Sequence, residues 1–409
     1  MNKNLITVLD LGSTKTTCLA ASADEEGGIR VEGLAVTETK GVRRGVITDL
    51  EAAARSIDTA IRRVQAETKQ EIGSVVVGVG GSHIEGINAQ GFVPIYPRSR
   101  AITREDVLQV INHSRQIVIP PDREMIQSLP REFRVDGQKN IQKPIGMNGS
   151  KIECVTYIVT GQATQLQNLE KVVSMSNHKV EQMVLQPLAS GLGALTQEQI
   201  ELGSAVIDLG GGLTEIAVFS GGSIAFTASI PIGGSLVTSD ISKLLKTSPE
   251  EAERLKVEHG NALARNVAEN ESVEVKQLGQ DELRPLQRKV LCEIIESRMR
   301  ELALMVKQQI EKSGMYGLLP GGVVMTGGGA LLNGTQELFE EVLRHLRVSH
   351  FEPKVDAIGH GMSDTPGMAA SLGMARFAVQ CFGDELSTVN GAGWKERVRT
   401  FWSLLSGRA

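Results

Sequence analysis

Two short stretches of this 409-residue chain combine residue types that can do chemistry. Val8-Leu9-Asp10-Leu11-Gly12-Ser13-Thr14 recurs in the second half as Val206-Ile207-Asp208-Leu209-Gly210-Gly211-Gly212. Each reads as an apolar strand, an Asp-x-Gly turn and a second strand. Such turns suit phosphate and metal binding. Glycines let backbone N–H groups crowd around phosphate oxygens, and the hydroxyls of Ser13, Thr14 and Thr214 add donors. Lys15 offsets phosphate charge. Asp10 and Asp208 suit Mg²⁺ held through its waters, because magnesium dehydrates reluctantly and accepts few carboxylates. One Asp-x-Gly turn alone is an ordinary β-turn with an Asx hydrogen bond. Two equivalent copies, with a third glycine-rich junction at Thr326-Gly327-Gly328-Gly329-Ala330, point instead to a nucleotide.

Other chemistries find little support. Cys18, Cys154, Cys292 and Cys381 lie far apart and form no CxxC pair, so buried reduced thiols are expected, not a disulfide framework or a zinc site. The seven histidines are scattered without metal-ligand spacing. The chain opens directly into the apolar strand Leu5–Leu9, with no basic segment and long apolar run, so no signal peptide is expected. It has no run of about 18 apolar residues, so no membrane-spanning helix is expected either. Net charge is −5, but residues 394–409 carry four basic groups against Glu396, a surplus of three, which leaves −8 on the body. An acidic body argues against nucleic acid as the main partner.

The elements that must position these turns are legible in the pattern. Asp49 to Glu71 has helical period (Leu50, Ala53, Ile57, Ile61, Val64). Ser74–Val79 is a β-branched run of a buried strand. Residues 82–160, broken by six prolines, read as an inserted small α+β subdomain, with Thr103 as a helix N-cap. The main fold resumes with a helix over 164–178, a strand over 180–185 and a short helix from Pro187 to Leu195. Ser248-Pro249-Glu250-Glu251 predicts a helix start with Glu251 closing a capping box. A long helix is expected from about Pro285 to Lys312, with Leu286, Val290, Ile294, Leu302, Val306 and Ile310 on one side. Residues 383–393 have a linker's composition.

The motifs at 10–16, 208–214 and 326–330 resemble the phosphate-1, phosphate-2 and adenosine motifs of the superfamily of actin, DnaK-type chaperones and sugar kinases. That resemblance implies an α/β, actin-like two-lobed fold of duplicated ribonuclease-H-like domains, with ATP and Mg²⁺ in the cleft. Leu188–Gly193 and Pro366–Gly373 resemble the two connecting helices at the hinge. Gly327, Gly328 and Gly329 would lie against the adenosine. Glu253 and Lys256, by themselves a solvated i,i+3 ion pair, match the pair that reaches ribose and adenine. Gln186 stands where hydrolytic relatives orient the attacking water; by itself it reads equally as a strand-end side chain bonding the backbone. Any ATP hydrolysis is expected to be slow.

Within that superfamily the chain resembles the bacterial FtsA cell-division family along essentially its whole length. Gly41-Val42-Arg43-Arg44-Gly45, Val237–Ile241, Lys256–Leu263 and Glu271–Val275 carry the likeness, with the insert and the basic tail. The family implies a protein that polymerises on the cytoplasmic face of the membrane at the division site. There it tethers the tubulin-like protein FtsZ through the FtsZ C-terminal peptide and recruits later division proteins. The implied domains are 1–81 with 161–200 (first lobe), 82–160 (insert) and 201–382 (second lobe, with a small subdomain over about 235–315). Arg288, Arg298 and Arg300, taken as exposed, are candidates for receiving the acidic peptide. The insert is expected to mediate protomer or partner contacts and to contribute nothing to the nucleotide pocket. A metabolic kinase would need a base aspartate beside a substrate pocket, and a chaperone a substrate domain and lid; no motif for either is present. Rod-shape MreB-like and pilus-assembly relatives are the alternatives.

The end of the chain is a separate device. Both tryptophans fall in its last 16 residues. On a helical wheel Trp394, Val398, Phe401, Trp402 and Leu405 lie within about 100° of arc, flanked by Lys395 and Arg399. This predicts an amphipathic helix on anionic lipid, whose five apolar side chains supply roughly 5–8 kcal/mol before the cost of ordering it. One copy binds reversibly, so polymerisation would make attachment strong by avidity.

Overall fold

The computed structural model describes residues 5–23, 28–280, 282–352 and 366–382. The predicted linker and tail helix, with all seven of its membrane-facing candidates from Trp394 to Leu405, lie outside the described residues.

The first lobe begins with β1 (Ile6–Leu11), β2 (Lys15–Ala23), β3 (Ile29–Glu38), the short β4 (Val42–Arg43) and β5 (Val46–Ile47), α1 (Leu50–Thr68) and β6 (Ser74–Val79). The insert follows as β7 (Glu85–Pro94), β8 (Arg100–Ala101), α2 (Arg104–Ser114), β9 (Arg123–Val135), β10 (Gln138–Ile141), β11 (Asn148–Gly149) and β12 (Lys151–Gln162). α3 (Ala163–Met175), β13 (Lys179–Leu185), α4 (Gln186–Ala194) and α5 (Gln197–Leu202) lead to the second lobe. That lobe comprises β14 (Ser204–Leu209), β15 (Thr214–Ser220), β16 (Ser223–Ile230), α6 (Gly234–Leu245), α7 (Pro249–His259), β17 (Ser272–Lys276), β18 (Leu283–Gln287), α8 (Arg288–Lys312), β19 (Val323–Thr326), α9 (Thr335–Leu343), β20 (Val348–His350) and α10 (Ala369–Phe382).

The two lobes repeat one topology. Their sheets run β3-β2-β1-β6-β13 and β16-β15-β14-β19-β20. In each, an antiparallel meander leads to a central strand whose other neighbour is parallel. The central strands are buried almost end to end, which explains their unbroken apolar runs. α1 covers the first sheet with Ala53, Ile57, Ala60, Ile61 and Val64, and Asp49 caps its N-terminus by accepting from Ala52 N–H. The insert has its own antiparallel sheet, β10-β9-β12-β7, with Val110 and Ile111 of α2 in its core. The two-lobed α/β fold with a small α+β insert is therefore present.

Between the lobes α4 and α10 cross, sharing one core with residues of both sheets. Their backbones meet where side chains are missing: a Cβ at Gly193 would overlap the Ala369 carbonyl, and one at Gly373 the Ala189 carbonyl. These are the two segments expected at the hinge.

Three expectations need correction. The long helix starts at Arg288, because residues 283–287 form a strand paired with β17. Its buried stripe is Leu291, Ile295, Met299, Leu302, Val306 and Ile310; Val290 and Ile294 are only partly buried. At the start of α7 Ser248 does cap Glu251 N–H, but the Glu251 carboxylate bonds Arg254 and Lys276 N–H, so the reciprocal half of the box is absent. The full box forms instead at Thr103, with Asp106 closing it.

Candidate functional site

The β1–β2 and β14–β15 turns face each other across a cavity of about 950 Å³. Each closes with the same hydrogen bond. Gly12 N–H donates to the Lys15 carbonyl at 3.0 Å, and Gly210 N–H to the Leu213 carbonyl at 2.9 Å. The turns approach so closely that a Cβ at Gly211 would overlap Thr14. Gly12, Ser13, Thr14, Lys15, Gly210, Gly211, Gly212, Gly327, Gly328 and Gly329 all line the cavity, as do Asp10, Asp208, Gln186, Glu253 and Lys256.

Electrostatics inside are governed by acids taken out of water. Desolvation lifts Asp10 to about 6 against the pull of Lys15, and the charge of Asp208 adds to the rise. Gln186, first residue of α4, donates from Nε2 to Asp10 Oδ1. Asp208 is raised by burial too, while Ser190 Oγ donates to its Oδ2 at 2.8 Å and Lys15 pulls it down. The Lys15 ammonium reaches across the cleft to the Gly367 carbonyl at 2.9 Å. Glu253 and Lys256 form their ion pair at 2.6 Å. It lies inside the cavity wall, with Lys256 Nζ also donating to Thr238 Oγ1 at 2.9 Å.

The structure separates two expected groups from the site. Thr214 is fully buried, and its hydroxyl donates to the Ile232 carbonyl at 2.8 Å, so it offers nothing to the cavity. Arg288, Arg298 and Arg300 are partly buried, not exposed, and each is already paired: Arg288 with Glu271, Arg298 with Asp240 and Glu301, Arg300 with Glu296 and Glu341. An incoming acidic peptide would have to displace those partners.

Two buried titratable residues of the cavity lining went unread. Glu215, opposite Asp208 in the β14–β15 register, turns its carboxylate into the cleft. Desolvation and the neighbouring Asp208 lift it to about 8. Its Oε1 accepts from Ser229 Oγ at 3.0 Å and from Gly81 N–H at 3.1 Å. His83 also lines the cavity, is 8% exposed, and neither ring nitrogen has a hydrogen-bond partner. The insert therefore does contribute to the pocket, contrary to expectation. Among the described residues no three His, Cys, Asp or Glu side chains are grouped to hold a metal ion directly. No helix there is long and apolar enough to cross a membrane.

The model of "Cell division protein FtsA" matches residues 205–373, and that of the "SHS2 domain inserted in FTSA" matches residues 81–160. The chain is 32% identical to cell division protein FtsA of Pseudomonas aeruginosa over 394 residues, covering 95% of this chain and 93% of that one. It is 36% identical to FtsA of Borreliella burgdorferi, covering 92% and 91%. Among solved structures, the PilM–PilN type IV pilus biogenesis complex gives a TM-score of 0.63 at 15% identity, covering 90% of this chain and 97% of that one. MreB5 of Spiroplasma citri bound to ADP gives 0.55 at 14%, covering 94% and 99%. These two likenesses speak for the actin-like fold alone.

Proposed function

The chain belongs to the FtsA family of cell-division proteins, and from that premise we propose that it is an ATP-dependent membrane tether of the division machinery. The observation that carries the nucleotide part is the pair of Asp-turns facing one another across the cleft, with Lys15 between them and the Glu253–Lys256 pair along the wall. The donor set fits a polyphosphate: clustered backbone N–H groups, two hydroxyls and an ammonium on one side, bare glycine backbone on the other. Asp10 and Asp208, both on the cavity lining, suit a cation held through its waters. Bound there, Mg²⁺ would neutralise phosphate charge. Gln186 is read as the side chain that would orient a water; one of its amide N–H groups goes to Asp10.

Residues 1–81 with 161–200 and 201–382 are assigned to the two lobes, 82–160 to the insert, and 394–409 to the membrane helix. ATP-driven assembly on the cytoplasmic face of the membrane joins many weak tails into firm attachment, and the filament then holds FtsZ and later division proteins at the septum. The test is co-sedimentation with anionic vesicles, with and without ATP and FtsZ. The full chain should pellet with vesicles and carry FtsZ down. Trp402→Glu, or truncation from Gly393, should leave it in the supernatant with ATP binding intact. A truncated chain that still pellets would remove the tail from the reading.

A further inference from the structure

Covalently the insert belongs to the first lobe, leaving it after β6 and rejoining it at α3. A buried polar contact also ties it to the second lobe. Tyr157 of β12, 1% exposed, places its hydroxyl 2.8 Å from Thr227 Oγ1 of β16 and accepts from Thr227 N–H at 2.9 Å. Gly86 makes room, since a Cβ there would overlap the tyrosine hydroxyl. Gly81 N–H, at the insert's entry, donates to Glu215. Ser229, which holds the same carboxylate, lies two residues along β16 from Thr227 and therefore on the same face of that strand. On the other side of the cleft, Gln127 Oε1 of β9 accepts from Leu185 N–H at 3.0 Å, directly before Gln186. Leu129 and Tyr157 pack into the same interlobe core as Phe219 and Ile224.

We propose that the insert is clasped to the nucleotide cleft, with Tyr157 and Gln127 as positioning residues that make the insert's packing depend on nucleotide occupancy. Because the insert is covalently fixed to one lobe and hydrogen-bonded to the other, the lobes cannot separate without breaking the Tyr157–Thr227 and Gly81–Glu215 bonds. A ligand that favours the closed cleft then stabilises the insert by the same coupling. The inference rests on the nucleotide reading above and goes beyond it, because it links occupancy of the cleft to the packing of the insert's own strands.

The experiment is hydrogen–deuterium exchange on the full chain with and without Mg-ATP, at concentrations where sedimentation finds single chains. Wild type should gain protection both at residues 205–215, which report the cleft, and in β7, β9 and β12. In Tyr157→Phe the cleft gain should persist, while the gain in the insert strands drops about five-fold, the worth of one buried hydrogen bond. Thr227→Val, which removes the other hydroxyl, should act alike and serves if Tyr157→Phe folds poorly. An insert response undiminished in both variants overturns the clasp, as does a wild-type insert that ignores ATP while residues 205–215 respond. No protection at 205–215 would instead sink the nucleotide reading, and this inference with it.

Discussion

The turn after β1 brings a serine, a threonine and a lysine to the cleft, whereas the turn after β14 brings three glycines and, as the second residue of β15, a buried glutamate. Their backbones close with matching hydrogen bonds. On the proposed nucleotide reading, the duplicated geometry is divided between two jobs. The first turn supplies charge neutralisation and hydroxyl donors. The second supplies bare backbone for close approach, and its acid faces back toward Gly81. Substitutions at the two turns should therefore fail in different ways.

The largest effect is expected at the second turn. Gly211→Val puts a side chain where Thr14 already stands, and Asp208→Ala removes the carboxylate assigned to the cation. Each should weaken Mg-ATP binding by about 100-fold or more, the scale of losing charge-assisted contacts in a desolvated site. Lys15→Ala should cost less, roughly ten-fold. Titration calorimetry on variants whose circular dichroism matches wild type decides it. Unchanged affinity in a folded Asp208→Ala chain would break the comparison at its root.

A smaller effect concerns Glu215. Its folded value of about 8 exceeds the ordinary 4.5, and Asp10 at about 6 exceeds 3.8. Both groups hold their protons more tightly folded than unfolded. Their contributions to stability are therefore complete below the unfolded values and are lost as pH rises through the folded ones. Ligand-free protein should lose stability from about pH 4 upward, with the Glu215 part gone by about pH 8 to 9. Glu215→Gln keeps an acceptor for Gly81 N–H but cannot ionise. Its melting temperature should exceed that of wild type by a few degrees at about pH 9 and differ little at about pH 5. Parallel melting curves across that range would show that the carboxylate is not strained.

How much of this was legible follows from which interactions are local. The Asp-x-Gly turns, the period of α1 and the caps at Thr103 and Ser248 depend on neighbours within a few residues, and they appear where the sequence places them. Residues 285–287 were misread because Leu286 stands at helical spacing from Val290 and Ile294, and only pairing with β17 makes that segment a strand. Glu215 passed as one polar residue in an apolar strand. A signal existed, since strand register sets it opposite Asp208, but its bond to Gly81 is tertiary. His83 carried no signal: its place in the cavity depends on how Gly81 and the insert fold around it. Of the arginines' partners, Glu271, Asp240 and Glu341 are remote in sequence and carry no local signal, whereas Glu301, three residues from Arg298, and Glu296, four before Arg300, stand at helical ion-pair spacing and were legible.

Thr214 provides the finest test of the contrast, because its position in the second turn matches that of Thr16, two residues beyond Thr14, in the first. By type it belongs with the phosphate donors; by geometry it does not. Its hydroxyl is committed to the Ile232 carbonyl, in the short segment leading from β16 to α6. Thr214→Val preserves shape and leaves that carbonyl without its donor. The expected cost is about 1 kcal/mol of stability, read by urea denaturation, with ATP affinity within about two-fold of wild type because no ligand contact is removed. Gly211→Val should show the reverse pattern, losing affinity far more than stability. If Thr214→Val instead loses affinity at unchanged stability, the hydroxyl turns toward the phosphates when nucleotide binds, and the division of labour between the turns is narrower than their ligand-free geometry indicates.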